Sequence, residues 1–191
     1  MKKFLLPIGI IVAIIVVAIA TFSSSYNKFV TAEENVDQAY SQIETQLQRR
    51  VDLIPNLVNT VKGFAKQEKE VIGQVTEARS KLAGANGPGE QAAADSELSG
   101  ALSRLLVVVE NYPELKSNEN FRQLMDELAG TENRIAVARK DYNGQVASYN
   151  KTVKRFPGKL VASVFGFDAK EYFKAVAGSE SAPDVDFGAD E

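Results

Sequence analysis

Cysteine, histidine and tryptophan do not occur anywhere in the 191-residue sequence. Without cysteine there is no disulfide, no thiolate nucleophile and no Cys-based zinc site. Without histidine there is no Ser-His or Cys-His pair, and no Glu-x-x-His motif of the kind that holds di-iron in helical bundles. A basic excess is lacking as well: 22 Lys and Arg stand against 25 Asp and Glu, for a net charge of −3. Nucleic-acid binders carry a clustered basic face, so no nucleic-acid partner is expected. Any hydrolysis would have to run on carboxylates alone, and the adjacent acids Glu33 and Glu34 point apart on a helix. The sequence therefore assigns no catalytic residue, no cofactor and no metal site.

What is present is apolar mass, 45 % of the chain, enough for one domain with a core. It begins with FLLPIGIIVAIIVVAIATF, residues 4–22, which carries no charge and 13 Phe, Leu, Ile or Val. As a helix this run is about 28 Å long, against roughly 30 Å of hydrocarbon in a bilayer. Its insertion is worth roughly −4 to −8 kcal/mol. A cleaved signal peptide would use Lys2 and Lys3 as its basic start and Ala18-Ile19-Ala20 as its cleavage site. The run is longer than such a segment needs, and the bulky Phe22 follows the site, so a retained anchor over residues 1–25 is the expectation. Lys2 and Lys3 precede the run and only Lys28 follows within twenty residues, so the folded part is expected outside the cytoplasm.

After the anchor, apolar residues recur at alternating steps of three and four, the period of packed helices. One series is Phe29, Val36, Tyr40, Ile43 and Leu47; the next runs from Ile54 through Leu57, Val61, Phe64, Val71 or Ile72, and Val75 to Leu82. GANGPGE, residues 84–90, is a loop. A third series is Leu98, Leu102, Leu105, Val109 and Tyr112. The last and longest runs from Phe121 through Leu124, Leu128, Ile135, Ala138, Tyr142, Val146, Tyr149 and Val153 to Phe156, before Pro157-Gly158. No segment alternates as a strand does, so the fold class is all-α. A helical bundle domain is expected over 26–157, an apolar C-terminal segment over 158–177, and an acidic disordered tail over 178–191.

QLQRRVDLIPNLV, residues 46–58, interrupts this regularity. Pro55 removes a backbone donor and disfavours helix at Ile54, so the helix breaks or kinks there. Asp52 could cap a new helix with Pro55 in its first turn; yet the apolar register passes through the proline unchanged, as in one kinked helix. Periodicity leaves both open.

Four separated stretches, QIETQLQRRVDLIPNLVNTVKGFAKQE, NYPELKSNENF, ELAGTENRIAVARKDYNGQVASYN and RFPGKLVASVFGF, resemble in order the LemA family of bacterial membrane proteins, over roughly residues 26–175. The resemblance implies an antiparallel four-helix bundle behind an N-terminal membrane segment, with RRVDLIP as a corner. It carries no general biochemical activity.

Candidate functional residues are polar or membrane-facing. Arg49 and Arg50 could clamp a carboxylate or phosphate of a partner, or cover a helix corner with Arg50 reaching an acid on another helix. Glu132, Arg134 and Arg139 form a charged set on the longest helix, either an ion-pair network or a groove for a partner peptide. Thr131 and Gln145 fall where the rhythm expects core, as a register-fixing polar layer would. Tyr142 and Tyr149 read as core phenols reaching a partner. In the segment from Gly158, Lys159, Val164, Phe165 and Phe167 either lie at the membrane surface or close the end of the core. The resulting expectation is a non-enzymatic, membrane-anchored scaffold or adaptor that binds envelope or membrane proteins, with a peptide- or lipid-binding groove as the alternative.

Overall fold

The computed structural model describes residues 2–174, with side chains from Gly9 onward; the acidic tail expected over 178–191 lies outside them. The described residues are helical without a strand, in the order α1 (Lys2–Phe64), α2 (Lys69–Gly84), α3 (Gly87–Val109), α4 (Pro113–Ser117), α5 (Glu119–Lys154) and α6 (Gly158–Phe165). They group into two compact units. Unit 1 contains α1 up to Glu44 with Val137–Glu171, and unit 2 contains Thr45–Ala136 together with the described residues from Tyr172.

In unit 1, α1 begins with an apolar stretch long enough to cross a membrane, none of it buried from Gly9 to Phe22. The same helix then delivers Phe29, Val36 and Ile43 to a core shared with Ala138, Tyr142, Val146 and Tyr149 of α5. The pairings Phe29–Tyr149, at 6.1 Å between rings, and Tyr40–Tyr142, at 5.5 Å, show the two segments antiparallel. α5 ends in a turn with a cis Phe156–Pro157 bond. Gly158 follows where nothing larger fits, since a Cβ there would collide with the carbonyl of Thr152 and touch Phe29 at 3.4 Å. α6 stops at Gly166, whose φ of 75° is left-handed and whose N–H donates to the carbonyl of Ala162 at 2.9 Å, a conformation glycine adopts without strain. The extended chain beyond is held by Asn150. Its Nδ2 donates to the carbonyl of Lys170 at 2.9 Å, and its Oδ1 accepts from the N–H of Lys170 at 2.8 Å.

In unit 2, α1 runs on through Pro55 to Phe64, so the corner implied at RRVDLIP is not there. The proline leaves the carbonyl four residues earlier, on Val51, without its helical donor, and the Nε of Arg79 on α2 donates to that oxygen at 3.2 Å. Asp52 is no cap: it accepts from Nε2 of Gln48 at 2.9 Å. The chain turns instead at residues 65–68. There Glu68, placed to cap α2, spends its carboxylate on the hydroxyl of Tyr112 at 2.9 Å, which holds the phenol's pKa above its usual value. α2 and α3 form an antiparallel hairpin, tied by Lys81–Glu97 at 2.6 Å and Arg104–Gln74 at 2.9 Å. The core takes Ile54, Leu57 and Val61 of α1, Ile72, Val75 and Leu82 of α2, Leu98, Leu102, Leu105 and Val109 of α3, and Phe121, Leu128 and Ile135 of α5. Phe64, expected among them, is exposed, because the helix ends at that residue.

Candidate functional site

Arg50 sits one helical step past the seam residue Leu47, and it is buried, at 4 % exposure. Its Nη1 lies 2.6 Å from Asp95 of α3 and 2.6 Å from Glu132 of α5, and its Nη2 donates to Ser99 at 2.9 Å. The Ser99 hydroxyl in turn donates to the carbonyl of Asp95 at 3.0 Å. One buried cation therefore joins three helices, and Asp95 is itself almost fully enclosed. Two carboxylates do converge here, as a carboxylate-only hydrolase would require, but the guanidinium fills the space between them. The arrangement is a fastening, and its polar surface is confined to the half-open Glu132 and the part-buried Ser99. Asp95 was legible in principle: stepping back three residues from Leu98 along the α3 seam lands on it.

Of the other polar residues singled out in the sequence, Glu132 joins Arg50 and the rest do not. Arg49 meets Glu127 at 3.7 Å, with both side chains about half exposed, a pair worth little. Arg134 is exposed and Arg139 half-buried on α5, and Glu132 pairs with Arg50. Thr131 is enclosed and donates to the carbonyl of Glu127 at 2.8 Å, so it packs as an apolar residue would; Gln145 is exposed and forms no polar layer. Tyr142 does find its partner, donating to the carbonyl of Glu171 at 2.7 Å. Glu33, read as unpartnered, meets Lys170 at 2.6 Å. That bond holds the Lys170 amine above its ordinary pKa.

Two grooves open on unit 2. One, of about 740 Å³, is rimmed by Lys62, Lys66 and Lys69 over a floor of Ile72, Gly73 and Thr76. Its single acid, Glu77, is engaged by Lys81 at 3.3 Å, and the three lysines bridge no acid among the described residues. The last turn of α1, the connection at 65–68 and the first turn of α2 bring them together, a trio the sequence reading passed over. The second, of about 480 Å³, is lined by Asn56, Asn59, Asn120 and Gln123. Among the described residues no three acids converge to hold a metal ion.

In unit 1, the C-terminal segment divides between two environments. Val161 and Ala162 enter the core, whereas Leu160, Val164 and Phe165 are at least half exposed; Lys159 is exposed as well. Phe167 stacks on Phe29 at 4.8 Å, and Phe165 lies 4.8 Å from the ring of Tyr26. Phe156, expected to close the core, is 81 % exposed instead, because α5 ends two residues earlier and the turn carries it outward.

A family model described as the LemA family matches residues 39–187. Magnetosome protein MamQ 2 of Paramagnetospirillum magneticum is 31% identical over 186 residues, covering 84% of this chain and 68% of that protein. Magnetosome protein MamQ of Magnetospirillum gryphiswaldense is 29% identical, covering 87% and 72%. Protein LemA of Metamycoplasma hominis is 25% identical, covering 71% and 63%.

Proposed function

This chain belongs to the LemA family, and we propose that it is a non-enzymatic scaffold that holds other envelope or membrane proteins at the bacterial cytoplasmic membrane. The observation that carries the reading is the lysine-rimmed groove of unit 2, whose three cations bridge no acid among the described residues. An acidic, amphipathic segment of a partner would supply those charges and lay its apolar side on Ile72. The magnetosome relatives fit a membrane-organising role, and the apolar start of α1 fits a single-pass anchor. Lys2 and Lys3 before the span favour the domain facing outward.

A photo-crosslinking residue at Thr76 in the full chain, expressed in its own cells, tests this. An adduct to another protein is expected, lost when Lys62, Lys66 and Lys69 are changed to Glu and absent when the probe sits at the exposed Val107. A chain ending after Lys174 should give the same adduct, separating an outside partner from the chain's own acidic end. Charge reversal without effect on the adduct would refute the reading.

The amide-lined groove favours a second reading, peptide binding between α1 and α5. Each Asn and Gln offers both donor and acceptor, the pattern that an extended backbone can satisfy.

A further inference from the structure

Unit 1 carries another surface, at the level where α1 leaves its apolar run. A groove of about 550 Å³ is lined there by Ser24, Ser25 and Lys28 of α1 and by Arg155, Phe156 and Gly158 after α5. We infer that this groove binds the phosphate of an anionic phospholipid, in the leaflet through which α1 emerges. The inference rests on the reading that α1 spans the bilayer.

Charge points to an anion. Lys28 and Arg155 both face the groove, no Asp or Glu lines it, and neither cation bridges an acid among the described residues. A guanidinium offers a phosphate two parallel donors, and an ammonium adds a point charge. The hydroxyls sort the same way. Thr21 and Thr152, also at the groove, donate to their own helix carbonyls, on Val17 at 2.8 Å and Ser148 at 3.1 Å. Ser24 and Ser25 make no such bond among the described residues, which leaves their O–H groups to donate outward. Gly158 fixes the approach: its backbone passes so close to the Thr152 carbonyl that no side chain fits, and this seats the turn bearing Arg155 against α1.

Depth points to a lipid as the source. Lys28 is six residues beyond Phe22, the last residue of the charge-free run, which is about 9 Å along a helix. Side chains on a helix lean toward its N-terminus, so the Lys28 amine reaches back toward the hydrocarbon edge, into a headgroup layer roughly 5–8 Å thick. Phe156 lines the same groove while 81 % exposed, and Leu160 and Val164 continue from it at steps of four, at 50 % and 68 % exposure. With Arg155 and Lys159 beside them, these residues alternate base with hydrophobe, the composition of segments that rest in the interface of anionic bilayers.

The test uses the full chain in nanodiscs of equal phosphatidylcholine and phosphatidylglycerol, with retained lipids counted by native mass spectrometry after release. Phosphatidylglycerol should be enriched at least roughly fivefold over the bulk ratio. Lys28→Gln with Arg155→Gln should return the ratio to bulk, each single change giving an intermediate value. Lys140→Gln with Lys151→Gln removes the same charge elsewhere on α5 and should leave the enrichment intact. All four positions carry exposed side chains, so unchanged circular dichroism is expected throughout. Enrichment that persists in the Lys28/Arg155 variant, or vanishes equally in the control, overturns the site while leaving the anchor standing. Enrichment abolished by added inorganic phosphate overturns the lipid as its source. A chain that does not enter the discs at all overturns the anchor, and the inference with it.

Discussion

At the scale of the residue, Arg50 has the largest consequence. A buried guanidinium is tolerated only because Asp95, Glu132 and Ser99 surround it. Removing one partner strands charge in the core at a cost of about 3–5 kcal/mol, whereas replacing both with apolar residues is often near neutral. Asp95→Ala should therefore lower unfolding free energy by about that amount, and Arg50→Met with Asp95→Leu should recover most of it. Chemical denaturation of the unaltered chain, Arg50→Met, Asp95→Leu and the double variant checks this; additive losses would contradict the fastening. Unit 1 responds to alkali for a different reason. Burial, helped by Tyr40 and Glu171, pushes Tyr142 up to about 12, while an unfolded tyrosine ionises near 10. The unfolded chain thus loses its proton first, so stability is flat below about pH 10 and falls as pH rises toward 12. The raised Lys170 acts in the same sense, its bond to Glu33 lost as the amine deprotonates. Melting temperature against pH should drop above about 10, and a flat profile to pH 12 would show that these groups are not enclosed as described.

At the scale of the element, the sequence reveals faces better than ends. Helical spacing locates the seams of α3 and α5 because burial at steps of three and four is imposed by helix geometry. It does not locate the turn at 65–68, which lacks glycine and proline, and it overrates Pro55. Whether a proline ends a helix depends on whether its orphaned carbonyl finds another donor, and Arg79 lies 28 residues away from Val51. That dependence is testable. Arg79→Met should leave the Val51 carbonyl unpaired and cost about 1–3 kcal/mol. In a Pro55→Ala chain the restored amide takes the carbonyl, and the same change should cost much less. Equal losses in both backgrounds would remove Arg79 from the account. Gly158 makes the complementary point. PG after a long helix reads as a stop, but only the packing shows that the glycine has no room for a Cβ. Gly158→Ala should lower the melting temperature; an unchanged melt would mean that the turn can shift. The Arg50 cluster was half legible, since both Arg50 and Glu132 stand out by position, whereas Asp95 could be recognised only by carrying the α3 seam backward into an alanine-rich stretch.

At the scale of the molecule, the account concerns placement at a bilayer. The first apolar stretch of α1 and the packed residues from Phe29 onward belong to one helix and one compact unit, so inserting the stretch carries the α6 turn with it. A single cysteine at Val107, easily introduced into a chain that has none, should react with a membrane-impermeant maleimide in intact spheroplasts if the domain faces outward; protection until lysis would reverse the topology. The most direct measurement is the depth of a nitroxide on a single cysteine at Val164, in the full chain reconstituted into vesicles. The account predicts a label at the headgroup–acyl boundary, relaxed more by oxygen than by a water-soluble nickel chelate, with the reverse preference for a label at Val107. Equal, water-like accessibility at both positions would contradict the claim that α1 holds the base of unit 1 against the membrane.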